Sequence, residues 1–316
     1  MKNKQNLLLK DIGELAAIER ICKHLPRDGK IIAGAGDDCA VVRAEPGAKH
    51  DLLLTSDAVI EGTHFSKETR PSAVGHKAIA RVLSDIAAMG GKPEWALINL
   101  VAPPRTSVRA LDAIYKGATA IAGKYGLSIV GGDMANGSTL ELHVFAVGTV
   151  PKGKAILRSG AKPGDLIFVT GSLGGSSRGK HLHFEPRLAE GLFLRKWASS
   201  MIDISDGLAT DLKHLTTMSG TGARLVLASI PISSSATKIK GGQTPTEHAL
   251  YDGEDFELLF TLPGRRLNAF IKAWATSFSE PASPVGMITG EANNIECVSK
   301  DGNTWILKNT GYEHFR

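Results

Sequence analysis

Apolar side chains recur at Val74, Ala78, Val82, Ile86 and Met89, the spacing of one helical face, and predict a helix over residues 73–89. Gly90, Gly91 and Pro93 stop it. Residues 107–126 form a second amphipathic pattern closed by Gly126, and Ile12, Leu15, Ile18, Ile21 and Cys22 share the face of an N-terminal helix. Strand patterns lie at 39–44 and 50–59, at 94–103 (read as a buried strand), at 127–133 and at 140–150. A stretch dense in Pro, Gly and Lys at 151–165 marks a boundary, so one domain is expected over 1–150 and another over 151–316. The second half opens with a strand at 166–171. A strand then runs into a helix starting near Asp206, a loop and strand follow over 249–262, a helix over 265–278, and short strands at 311–316. Both halves mix strands and helices, which points to an α+β or α/β fold rather than an all-β fold or a bundle.

Composition narrows the class of protein. At 316 residues the chain can build two substantial cores, and 42% hydrophobic with 22% charged residues is the profile of a folded soluble chain. Three scattered cysteines give neither a disulfide framework nor a zinc site and suit a reducing compartment. Lys10 and Asp11 interrupt the N-terminal apolar run, so it reads as neither signal peptide nor membrane span, and the expected location is cytoplasmic. The net charge of +5 is spread along the chain without a dense basic run or a stacking platform, which argues against a nucleic-acid partner. Many of the 35 glycines sit beside aspartates, a combination suited to anionic small ligands handled through metal ions.

The aspartates recur as stations: Asp37 and Asp38 in GDD, Asp57 in TSD, Asp85 in LSD, Asp133 in GGD, Asp203 and Asp206 in DISD, with Glu254 and Asp255 in DGED. Carboxylates with hydroxyl neighbours such as Thr55 and Ser56 are hard oxygen ligands, suited to Mg²⁺ rather than zinc. Each has a plainer alternative. GDD can be an Asx-type turn entering a strand, Asp133 a turn residue, and Asp206 the N-cap of the helix that follows. Asp85 lies near the C-terminal end of its helix, where the macrodipole disfavours an anion; Arg81 offers an ion pair in the weaker orientation, and a divalent metal would offset the placement better.

Other motifs fail on inspection. GGSSRGKH at 174–181 carries His181 where a Walker loop needs Ser or Thr, and reads as a flexible glycine-rich loop. GAGDDC lacks the third glycine of a dinucleotide fingerprint. His181 and His183 have no further zinc-type partners and read as solvated loop histidines.

Taken in order, GAGDDCAVV, LLLTSDAVIEGTHF, KAIARVLSDIAAMGGKPEW, IVGGD, ILRSGAKPGDLIFVTG, IDISDGLATDL, DGEDFELLFT and the terminal GYEHF resemble the thiamine-monophosphate kinases. That family belongs to the superfamily of aminoimidazole ribonucleotide synthetase and selenophosphate synthetase. The resemblance covers nearly the whole chain. It implies a two-domain α+β fold whose N-terminal sheet pairs across a homodimer into a barrel. It also implies ATP-dependent phosphorylation of thiamine monophosphate to thiamine diphosphate, the last step in making that cofactor, with several Mg²⁺ in the cleft between domains. On the matching positions, Asp38, Thr55, Ser56, Asp57, Asp85, Asp133, Asp203 and Asp206 resemble metal ligands. Gly132, Asp133, Arg158 and Ser205 resemble ATP contacts, and His64, Glu254 and Tyr312 resemble the thiamine-phosphate side. No residue is expected to act as a general base, because the acceptor phosphate is already largely a dianion near neutrality; metals and Arg158 would stabilise the transferring group.

The sequence departs from the family pattern in three places. Residues 180–187, KHLHFEPR, follow the glycine loop almost at once, Asp252 stands where a small residue is usual, and GGDMANG lacks the usual Thr and Arg. A selenophosphate synthetase is disfavoured because no reactive Cys sits in a glycine-rich N-terminal segment. An amidine-cyclising synthetase and a catalytically silent nucleotide-binding dimer are the remaining alternatives.

Overall fold

The computed structural model describes residues 8–25, 28–307 and 311. The chain opens with α1 (Leu9–Cys22), whose apolar face does not become core: Ile18 and Ile21 are exposed. Gly13 interrupts the helix with φ 74°, a conformation open to glycine, and breaks the continuous face that the spacing predicted.

Next come β1 (Ile31–Ala33), β2 (Ala40–Arg43), β3 (His50–Ile60), α2 (Pro71–Ala88), β4 (Lys92–Ala102), α3 (Val108–Tyr125), β5 (Ser128–Asn136) and β6 (Glu141–Pro151). The six strands form one sheet in the order β1-β2-β3-β6-β4-β5, antiparallel except for the β4–β5 pair. The two helices predicted at 73–89 and 107–126 are α2 and α3, packed side by side. Gly75 and Gly117 permit the approach, since a Cβ on either would lie 1.9 Å from a carbonyl oxygen of the other helix, Ile114 and Ser72 respectively. Buried residues lie nearly all round α2, from Val74 to Ala88.

β4 is not the fully buried strand its composition suggested. Its residues alternate, with Ala96, Ile98 and Leu100 buried while Trp95 (49%) and Leu97 (41%) are exposed. Phe145 on β6 joins them on a face that no other element of the described residues covers.

The second sheet contains β7 (Asp165–Thr170), β8 (Ser200–Asp203), β9 (Gly222–Val226), β10 (Leu258–Pro263), β11 (Ala282–Thr289), β12 (Ile295–Val298) and β13 (Thr304–Ile306), in the order β13-β12-β9-β11-β7-β10-β8. Five helices accompany it: α4 (Lys180–His183), α5 (Leu188–Leu194), α6 (Leu208–Ser219), α7 (Pro245–Tyr251) and α8 (Leu267–Ser277). The helix expected near Asp206 is α6, which begins at Leu208 with Gly207 at the cap, so Asp206 is not its N-cap. The strand predicted at 311–316 falls mostly outside the described residues.

One hydrophobic core links the two sheets, running from Leu53, Val74 and Ile86 through Met201 and Leu258 to Phe260, Phe270 and Trp274. α2 packs against β3 of its own sheet and also against α4, α5 and β8. It is the element both halves share, and it carries half of the site. Among the described residues, no helix is long and apolar enough to cross a membrane.

Candidate active site

Three carboxylates converge where the halves meet. Asp38 precedes β2, Asp85 occupies the last turn of α2, and Asp203 ends β8; one oxygen of each lies within 4.8 Å of the others. Asp38 and Asp203 are buried and Asp85 partly so. Burial raises all three carboxyl pKa values. Neighbouring aspartates add to the rise at Asp85 and Asp203, and Asp203 is pushed up to about 7. Thr55 Oγ1 donates to Asp85 Oδ2, Ser84 Oγ donates to Asp203 Oδ2 at 2.6 Å, and Arg158 Nη2 donates to Asp38 Oδ1 at 2.6 Å. Asp38 Oδ2 is enclosed and has no partner. Three anions, one touching arginine and an orphaned oxygen form a hard-oxygen donor set that fits a divalent cation such as Mg²⁺.

The paired aspartates of GDD divide their work. Asp37 accepts the Arg158 backbone N–H at 3.1 Å and that of Asp38 at 3.3 Å, so it holds the loop, while Asp38 enters the group. Arg81 does not neutralise Asp85. Its guanidinium turns the other way, donating from Nη2 to Asp57 Oδ1 at 2.9 Å and from Nη1 to Glu254 Oε1 at 3.2 Å.

Glu254 anchors the second pole. Lys77, 0% exposed, donates to Glu254 Oε2 at 2.8 Å, to the His64 carbonyl at 2.6 Å, and lies 2.9 Å from His181 Nδ1. Burial alone would raise the Glu254 pKa, but the His181 hydrogen bond with the charges of Lys77 and Arg81 outweighs it and holds the carboxyl down to about 2. His181 is therefore a wall of the site, not a solvated loop residue; the short α4 brings it over α2. Glu254 has φ 66°, a backbone strain held by its N–H to the Ser205 carbonyl at 2.7 Å. The extra charge of Asp252 is absorbed by His248 Nδ1 at 3.0 Å and by the Gly175 N–H at 3.2 Å.

At the Glu254 pole opens a cleft of about 1280 Å³ lined by His64, Arg81, Ser205, Asp206 and Glu254, with the 176–182 loop as one wall. In that loop Lys180 is committed to Glu257 at 2.8 Å, so the Walker-like spelling has a structural use. Asp206 also lies within 4.8 Å of Asp211 and His214 on α6. Tyr312 lies outside the described residues.

Ser56, Gly132 and Asp133 are not brought to this group. Asp57 points to the helix-covered face, where it meets Arg81, so Ser56 and Ala58 point to the uncovered one. Ala58 pairs with His143, His143 with Asn99, and Asn99 with Asp133. Residues in one row share a face, so Asp133 is directed to the uncovered face, three strand spacings or about 14 Å from Ala58. Gly132 is required by packing, since a Cβ there would lie 1.9 Å from the Ile98 carbonyl oxygen.

Sequence reasoning passed over Lys77, Arg81 as a site residue, His181 and Asp211. A signal existed for the first two: Lys77, Arg81 and Asp85 stand at four-residue intervals in an otherwise apolar helix, one charged line through a buried element. His181 carries no local signal, because it reaches Lys77 across 104 residues of chain.

The chain is similar to known proteins over most of its length. Residues 36–150 match the family model for AIR synthase related protein, N-terminal domain. A thiamine-monophosphate kinase of Escherichia coli (strain K12) is 34% identical over 306 residues, 89% of this chain and 91% of that one. One from Bacillus subtilis (strain 168) is 30% identical over 333 residues, 96% of this chain and 100% of its own length. The solved structure of AaThiL complexed with AMPPCP and TMP superposes with a TM-score of 0.85 at 31% identity, covering 98% of this chain and 100% of that one. With the likeness running over nearly the whole length of both chains, the chain belongs to the thiamine-monophosphate kinase family.

Proposed function

We propose that the chain transfers the γ-phosphoryl group of ATP, in line, to the phosphate of thiamine monophosphate, giving thiamine diphosphate and ADP. The observation that carries this is the group Asp38, Asp85 and Asp203, three carboxylates within 4.8 Å with one touching arginine and an orphaned oxygen, beside a cleft large enough for two ligands. Family membership, and a relative solved with AMPPCP and TMP, support the choice of substrates.

Asp38, Asp57, Asp85, Asp203 and Asp206, with Thr55, would hold the Mg²⁺ ions. Bound there, Mg²⁺ supplies neutralisation of the charge on two approaching polyanions. Arg158 and Ser205 serve the nucleotide, and His64, Glu254 and Tyr312 the acceptor. Lys77 and His181 fix the Glu254 carboxylate in its ionised form. No side chain needs to remove a proton from an acceptor that is mostly dianionic near neutrality.

The placement of Asp133 supports a homodimer. The uncovered face carries Trp95, Leu97 and Phe145 and needs an apolar partner; a second copy seated there would let Asp133 of the partner subunit, with Ser56, complete the metal and ATP site. A reaction that consumes ATP fits the cytoplasmic placement.

Incubation with ATP, Mg²⁺ and thiamine monophosphate tests the reading. Equimolar thiamine diphosphate and ADP, abolished by chelation, is the expected result, and inversion at an isotopically chiral γ-phosphorus marks in-line transfer. ADP without thiamine diphosphate would assign another acceptor. Nucleotide binding with no ADP formed would favour a silent nucleotide-binding dimer.

A further inference from the structure

Lys77, Arg81 and Arg158 touch carboxylates of the site, and of these Arg81 alone lines the cleft. Lys77 donates to the His64 carbonyl and to Glu254, lies 2.9 Å from His181 Nδ1, and is wholly enclosed. Arg158 is directed at Asp38 and the Gly36 carbonyl.

Arg81 is held differently. Its side chain is 14% exposed and bridges the two poles, one N–H going to Asp57 and one to Glu254. A guanidinium has five donors. The two ion pairs engage one N–H on each of Nη1 and Nη2, so donor capacity remains on the outer nitrogens. The head group is also braced, with its Cζ 5.7 Å from the centroid of the Phe256 ring, which stacks on Phe184 at 3.9 Å. The Glu254 charge is shared with Lys77, so Arg81 is not needed to neutralise it. A divalent cation on Asp57 would take over that carboxylate as well.

We propose that Arg81 contacts the phosphate of the acceptor and makes the site selective for a phosphomonoester over the corresponding free alcohol. The inference rests on the kinase reading above and assigns to one residue the recognition of the group that receives the transferred phosphoryl. A planar, braced guanidinium with spare donors matches a phosphate dianion bidentately, which an ammonium would not.

Titration calorimetry on the full chain with Mg²⁺ and no nucleotide compares thiamine monophosphate with thiamine for the wild type, Arg81→Gln and Arg81→Met. The ratio of the two affinities should fall by at least about tenfold in both variants, with thiamine affinity unchanged to within about twofold. Arg81→Lys should recover part of the ratio. An unchanged ratio, or an equal loss for both ligands, would overturn the proposal, the second result marking Arg81 as a structural strut. Should the Gln and Met variants not fold, Arg81→Lys decides alone, because it keeps the charge and loses the fork. A ratio lowered severalfold then carries the proposal, and an unchanged one overturns it. Wild-type turnover of thiamine monophosphate is assayed in parallel. Its absence counts against the kinase reading, whereas turnover with an unchanged ratio counts against Arg81 alone.

Discussion

The Ser84 hydroxyl on α2 donates to Asp203 Oδ2 at the end of β8 across 2.6 Å, with both side chains buried. One hydrogen bond thus ties the N-terminal helix to the C-terminal sheet inside the carboxylate group. Ser84→Ala leaves a buried acceptor unsatisfied and should cost about 1–3 kcal/mol of unfolding free energy in chelator, read from a denaturant titration.

The same group sets a pH dependence. Asp203 titrates near 7 in the folded chain against 3.8 for a solvated aspartate, so between those values the fold keeps a proton the unfolded chain has released. Stability from this group is complete below pH 3.8 and is lost as pH rises toward 7, at up to ~1.4 kcal/mol per unit. Asp203→Asn removes that slope. In chelator, the stability of the wild type relative to Asp203→Asn should decline from pH 5 to pH 7. His214, lowered to about 4 by burial, acts in the opposite sense but is common to both proteins. Saturating Mg²⁺ should restore the wild type at the alkaline end, because it binds the ionised carboxylates.

Glu254→Gln strips the counter-charge from Lys77, which is 0% exposed. Leaving a buried ammonium unpaired costs about 3–5 kcal/mol, so this variant should melt well below the wild type. A second change, Lys77→Met, should return part of the loss by removing the stranded charge.

Asp57→Asn and Asp133→Asn should each abolish thiamine diphosphate formation while leaving circular dichroism unchanged. If Asp133 of the partner subunit completes each site, mixing the two inactive proteins under conditions of subunit exchange should restore about a quarter of wild-type activity. Half of the dimers are then mixed, and each has one intact site. Sites built within one chain would stay silent in the mixture.

Periodicity made α2 and α3 legible to within two residues, because their stop signals, Gly90 and Gly126, are local. Asp38, Asp85 and Asp203 stood out for a similar reason, each lying in a short polar stretch at or beside an element end. What stayed hidden depends on distant chain. The alternation on β4 told of two faces but not which would stay uncovered, and Trp95 and Leu97 supplied enough apolarity to disguise one as core. Arg81 looked like the partner of Asp85 four residues on, yet the structure sends it to Asp57 and Glu254, 24 residues back and 173 ahead. The apolar face of α1 was legible as a pattern and misleading as a prediction, because Gly13 breaks the helix that would have presented it.

Lys77, Arg81 and Asp85 occupy one line of α2, one turn apart, with the Glu254 pole at the first and the carboxylate group at the last. Eight residues of α-helix rise ~12 Å. The spacing between the two poles is therefore graduated in the backbone itself, and α2 works as a ruler seated against α3 by the close contacts at Gly75 and Gly117. A single residue inserted between Lys77 and Asp85 would swing the far mark by ~100° about the axis. Both poles would remain chemically intact, and the measurement between them would be lost.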